Sequence, residues 1–223
     1  MTSTCGRRTR RRVACALAAF ALVASGVGPG EDPGAELMAR VQKRYDGIRD
    51  VRARFEQKSR VAALGREDES RGTVVIARPG RMRWEYEKPE PSVLLIDGET
   101  VRLYSPGDKK LQIAPLGGAS LSPTALGFLL GDGVLADTFR AESLPTSERG
   151  EVGLKLLPRE ASSFESLEMW FEPATLGLRE SVLLDLFGNR TRVRFAEVAE
   201  NVGAPEQRFT LEVPEGTEVI DLR

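Results

Sequence analysis

Residues 78–104 read RPGRMRWEYEKPEPSVLLIDGETVRLY, and this stretch decides the fold. Met82, Trp84 and Tyr86 alternate with Arg81, Arg83, Glu85 and Glu87. A period of two puts the apolar side chains on one face of a strand and the charges on the other. The run closes at the Lys88-Pro89 turn, and SVLLIDGETVRLYS then folds back as a hairpin around Asp97-Gly98, the strongest short-range hairpin signal. Upstream, RGTVVIARPG reads as another strand, ended by a Pro-Gly turn.

Residues 35–48 place Leu37, Val41, Tyr45 and Ile48 at spacings of four, four and three, an amphipathic helix that ends near Gly47. Val51, Ala53 and Phe55 then alternate with charged residues, as in a half-buried antiparallel strand. KKLQIAP supplies one strand more. Residues 119–137 break the alternation: Ser122 is a helix N-cap, Pro123 sits at the first helical position, and Leu126, Phe128, Leu129 and Leu130 make a short apolar helix stopping at Gly131. A further short turn follows at VLAD. Strands resume in TFRAESL, EVGLKLLPR, FESLEMWFEP, LGLRESVLLDL, GNRTRVRFAEV and QRFTLEVPEG, with a tight turn at Gly188-Asn189. This order predicts a mainly β protein, about eleven antiparallel strands in one strongly curved sheet wrapped around an N-terminal helix and a central helical insert. A barrel of about eight strands just fills itself or holds a small ligand, so a larger sheet leaves room for a larger cavity.

The N-terminus is of another kind. Arg7, Arg8 and Arg10 to Arg12 form a basic cluster, Val13 to Ala24 an apolar run, and Ser25 to Gly28 a small-residue segment. That order is a secretory signal peptide, predicted over residues 1–28, with one domain over 29–223. The apolar run is about a dozen residues, short of the roughly 20 that span a bilayer. Both cysteines, Cys5 and Cys15, fall in the leader, and Arg12 stands where a lipoprotein acylation site would need an apolar residue, so a soluble mature protein without thiols is expected. Without the leader the balance is 27 basic against 33 acidic side chains, which argues against nucleic acid as a partner.

Catalytic equipment is sparse. The chain has no His, the commonest general base and metal ligand, and the predicted mature part has no Cys. Ser/His/Asp and Cys/His arrangements and the usual zinc sites are thereby excluded, and no Gly-rich phosphate loop appears. Paired acids, Glu85/Glu87 or Glu165/Glu168, could serve a glycoside hydrolase, but they sit at ordinary solvent-facing strand positions. No enzyme, cofactor or metal is expected.

In residues 78–104 the chain resembles the periplasmic outer-membrane lipoprotein carrier family. The resemblance rests on an Arg-Pro turn, a W-x-Y strand, a Lys-Pro turn, an apolar strand, and Asp-Gly before an aromatic-ended strand. GNRTRVRF, APEQRFTLEVPEGTEVI and the leader extend it in order over the mature chain. It implies an unclosed half-barrel with a helical lid over its concave face. It also implies a monomeric carrier that takes acylated lipoproteins from an inner-membrane ABC transporter to an outer-membrane receptor. On the same fold, a carrier or sensor of another lipid or glycolipid is the alternative.

The resemblance makes Arg78 a latch beneath the lid, donating to backbone carbonyls near Leu94, Leu126 and Gly127; a guanidinium offers five donors and no acceptor. It implies a lipid cavity lined by Met82, Trp84, Tyr86, Leu94, Ile96, Leu126, Phe128, Leu129 and Leu130. Two departures stand out. Met82 occupies an aromatic position of the family, and Thr124, Ala125 and Gly127 replace larger apolar residues in the lid helix.

Overall fold

The computed structural model describes Met1–Thr2 and residues 32–98, 100–116 and 133–223. Helix α1 spans Pro33–Asp46. Asp32 caps it, accepting from the Gly34 N–H at 2.9 Å, Pro33 opens it, and Lys43 and Arg44 lie in its last turn, where the helix dipole favours cations. Its buried stripe is Leu37, Met38, Val41 and Tyr45. At Gly34 a Cβ would lie 2.6 Å from the Ala141 carbonyl oxygen, so only glycine lets the helix approach the sheet so closely.

The strands are β1 (Asp50–Val61), β2 (Arg66–Ala77), β3 (Arg81–Lys88), β4 (Ser92–Asp97), β5 (Thr100–Ser105) and β6 (Lys110–Pro115). After the short helix α2 (Leu135–Thr138), at the expected VLAD turn, come β7 (Phe139–Leu144), β8 (Val152–Pro158), β9 (Phe164–Phe171), β10 (Leu178–Asp185), β11 (Arg190–Glu200) and β12 (Glu218–Asp221). They form one unclosed, curved sheet in the order β12-β6-β5-β4-β3-β2-β1-β11-β10-β9-β8-β7. Neighbours run antiparallel except β12, which lies parallel to β6.

The long strand β1 joins two halves, pairing with β2 on one side and β11 on the other. Over β7–β10 the inner face packs under α1 and α2, with Val41, Tyr45, Leu154, Leu156, Phe139 and Phe171 at its centre. Over β1–β5 and β11 a second cluster gathers Ala53, Phe55, Val74, Ile76, Met82, Trp84, Leu94, Ile96, Val101 and Val193. Val51 and Phe195 touch both clusters and bridge them. Trp170 alternates with the buried Met169 and faces the other side, against Gly153.

The expected QRFTLEVPEG strand is not one. Glu206–Phe209 forms a short 3-10 turn, and the strand of this tail comes later, as β12. Burial explains the change. Leu95 lies between Leu94 and Ile96 and faces outward, where it needs cover. Phe209 provides that cover, packing on Leu95 and Ala77. Arg83 donates to the carbonyls of Arg208 (3.3 Å) and Thr210 (3.0 Å), and Arg81 stacks over the Phe209 ring at 5.1 Å. The tail crosses the outer face of β3 and β4 instead of extending the ladder.

Candidate functional site: an apolar recess beside the end of α1

Where α1 ends, the sheet leaves a small apolar recess, a cavity of about 40 Å³ that opens to solvent. Its walls are Ile48, Val51, Ala53, Val74, Ile76, Trp84, Leu178, Phe195 and Val198; Tyr45, Arg49, Asp50, Arg78 and Glu200 complete the lining.

Regular alternation along β11 would turn Phe195 and Glu197 to the same side. A bulge intervenes: the register with β1 shifts between Arg52 and Arg54, and Glu197 adopts a left-handed φ of 52°. Glu197 is the extra, exposed residue, so Val198 and Glu200 face the recess. On the opposite wall, Gly72 lets β2 and β3 close up, since a Cβ there would lie within 2 Å of the Glu85 carbonyl oxygen and 3.1 Å from the Phe55 ring. Phe55 packs against Trp84 (centroids 4.5 Å) and Tyr86 (5.3 Å), and Trp84 against Phe195 (6.2 Å).

Polar groups bind the mouth together. Arg78 donates from Nη1 to the Tyr45 carbonyl at 2.6 Å, and its backbone N–H donates to the Arg49 carbonyl at 2.8 Å. The Tyr45 hydroxyl accepts from the Leu178 N–H at 3.0 Å, and burial pushes the phenol up to about 12. Arg44 pairs with Glu200 at 2.6 Å. Asp50 is buried because its carboxylate accepts from the N–H groups of Val202 (2.9 Å) and Gly203 (3.0 Å). Asn201 accepts from the Arg49 N–H and donates to the Gly47 carbonyl, tying the end of α1 to the end of β11.

The structure brings Met82, Trp84, Leu94 and Ile96 together in one buried cluster, with Tyr86 packed at its margin. Of these five, Trp84 lines the recess, whereas Met82 and Ile96 are fully enclosed by packing. Arg78 meets a carbonyl at a helix C-terminus, that of α1. Leu94 lies in the cluster across the ladder from Trp84. The remaining expected residues, Leu126, Gly127, Phe128, Leu129 and Leu130, lie outside the described residues.

Tyr45, Phe195, Val198 and Glu200 were not singled out in the sequence. Tyr45 reads there as one more helix-face aromatic, and the bulge hides Val198 and Glu200 behind a broken period. The acids considered for hydrolysis are on the outer face or its edges: Glu85 pairs with Arg83 (2.6 Å), Glu87 with Arg54 (3.3 Å) and Glu168 with Arg190 (3.1 Å). Among the described residues there is no group of three or more His, Cys, Asp or Glu able to hold a metal, and no helix long and apolar enough to cross a membrane.

An open, one-sided β half-barrel with an apolar recess and a polar, hydrogen-bonded mouth defines a ligand-holding class of protein. Within that class the chain belongs to the outer membrane lipoprotein carrier protein LolA family, whose model matches residues 46–212. An outer-membrane lipoprotein carrier protein of Chromobacterium violaceum is 31% identical over 213 residues, covering 92% of this chain and 95% of the relative. One from Cupriavidus taiwanensis is also 31% identical, covering 93% and 95%. The fold agrees with the crystal structure of an uncharacterized conserved protein from Thermus thermophilus, with a TM-score of 0.53 at 16% identity, covering 84% of this chain and 98% of that one. The family is one of non-catalytic periplasmic carriers with lipoprotein cargo.

Proposed function

We propose that this member of the carrier family works in the periplasm after loss of residues 1–28, and that its recess is where the acyl chains of a lipoprotein begin to enter. The observation that carries this reading is the apolar recess at the joint between the two core clusters, with Arg78 at its mouth fastened to the end of α1. An acyl chain gains roughly 0.8 kcal/mol per buried CH₂, so a multi-acylated protein needs a dry compartment to cross an aqueous space. The compartment must also open, because a cargo held that tightly has to be surrendered.

In this reading Arg78 is the latch, and the carbonyls near Leu94, Leu126 and Gly127 join that of Tyr45 as its partners in the closed form. Opening parts the clusters and adds Met82, Tyr86, Leu94, Ile96, Leu126, Phe128, Leu129 and Leu130 to the lining. The donor is an inner-membrane ABC transporter and the acceptor an outer-membrane receptor, with the carrier acting as a monomer and without catalysis.

Native mass spectrometry of the protein purified from the periplasm, with extraction of bound lipid, tests the reading. Co-purified triacylated lipoprotein is the expected result. Free lipid or glycolipid in its place would move the function to a carrier or sensor of that lipid. An empty protein that turns over glycans would overturn it.

A further inference from the structure

Trp84 is 8% exposed and lines the recess, yet its indole Nε1 is fully buried and has no hydrogen-bond acceptor among the described residues. Buried Trp N–H groups almost always find an acceptor, and an unmade bond is a standing cost to the folded state. The neighbours of this indole are the rings of Phe55, Tyr86 and Phe195, which present no in-plane acceptor. The polar groups across the recess are already engaged: Arg78 with the Tyr45 carbonyl, Glu200 with Arg44, and Asp50 with two backbone N–H groups. A donor of this kind, buried beside an otherwise apolar lining, is satisfied when a ligand carrying an isolated acceptor on an apolar body reaches it.

We propose that Trp84 is the depth gauge of the acyl-binding site, its Nε1–H donating to the carbonyl at the head of a bound acyl chain. The inference rests on the acyl-carrier reading above and specifies it. The carbonyl docks at the indole, and the methylenes beyond it run along Val51, Val74, Ile76 and Phe195. A hydrocarbon without the carbonyl gains the apolar contact but leaves the donor unpaired. The recess therefore prefers an ester- or amide-linked chain over a plain or ether-linked one. Because the donor lacks an acceptor until cargo arrives, the empty carrier bears a cost that loading removes.

The test uses dihexanoyl phosphatidylcholine and its dihexyl diether analogue, both below their micelle-forming concentrations, titrated into the wild-type protein and Trp84→Phe. Trp84→Phe is expected to weaken binding of the diester by about threefold to tenfold, the size of one hydrogen bond, and that of the diether by less than about twofold. Equal losses for the two lipids would mean that the ring only fills space and would overturn the proposal. Binding of neither lipid to the wild-type protein would overturn the acyl-carrier reading along with it, which separates the two failures.

Should Trp84→Phe fail to fold, the wild-type indole N–H resonance decides. Assigned by loss of the other indole signal in Trp170→Phe, it should move with the diester and stay in place with the diether. A shift with both, or with neither at saturation, would overturn the proposal.

Discussion

The Arg78 guanidinium donates to the Tyr45 carbonyl at 2.6 Å, fastening the corner between β2 and β3 to the last turn of α1. The two residues belong to different halves of the molecule: Tyr45 packs in the cluster under α1, and β2 and β3 carry the other cluster. One charge-assisted bond thus spans the seam along which the recess lies. Arg78→Leu is expected to cost about 1–3 kcal/mol in urea unfolding, because the carbonyl loses a charged donor. If Arg78 is the proposed latch, the variant should still load lipoprotein but release it poorly to an acceptor. Normal delivery by Arg78→Leu in a reconstituted transfer assay would sink the latch.

Tyr45 supplies a pH signature. Its phenol ionises near 10 when unfolded, and burial lifts the folded value to about 12. A raised value means that the contribution is complete below pH 10 and is lost as the pH rises through about 12. Between those limits the wild-type protein should lose roughly 1–3 kcal/mol more than Tyr45→Phe does. Tyr45→Phe should itself be about 1 kcal/mol less stable at neutral pH, since the Leu178 N–H loses its acceptor. Parallel alkaline slopes for the two proteins in urea titrations would refute the assignment.

Glu197 holds a left-handed backbone at φ 52° with an exposed side chain. A non-glycine residue pays about 1–2 kcal/mol for that conformation, and glycine gives back part of the gain through the entropy of the unfolded chain. Glu197→Gly should therefore raise stability by up to about 1 kcal/mol, roughly 2–4 °C in melting temperature, with lipid binding unchanged. A lower melting temperature would argue against the bulge.

Gly34 sets two effects against each other. Alanine in a helix is favoured over glycine by about 1 kcal/mol. Its Cβ, however, would stand 2.6 Å from the Ala141 carbonyl oxygen and 2.9 Å from the Glu142 Cα, both backbone atoms that cannot swing aside. Overpacking of this kind costs about 1–3 kcal/mol, so Gly34→Ala should be destabilising overall. A higher urea midpoint would show that α1 is not seated against β7.

Much of this was legible in the sequence because it depends on period alone. Met82, Trp84 and Tyr86 share the inner face, as their spacing requires, and the helix ends at Gly47 after the stripe Leu37, Val41, Tyr45. What escaped depends on contacts between distant segments. Nothing local marks Glu197 as a bulge residue, so the inward turn of Val198 and Glu200 shows only when β11 is laid beside β1. Phe209 sits in a run that alternates like a strand, and its true task follows from Leu95, more than a hundred residues earlier. That Arg78 reaches the Tyr45 carbonyl at the end of α1 is likewise a matter of tertiary packing, with no local mark in the sequence.

The enclosed indole has a practical consequence. The chain has two tryptophans, and they lie on opposite faces of one sheet: Trp84 in the recess, Trp170 on the outside against Gly153. Emission from the first senses the polarity of the recess, and emission from the second senses the integrity of the β8–β9 ladder. With Trp170→Phe as a background, loading and emptying can be followed by the colour and quenching of a single native fluorophore, with no dye attached. The molecule carries its own optical gauge of whether it is full.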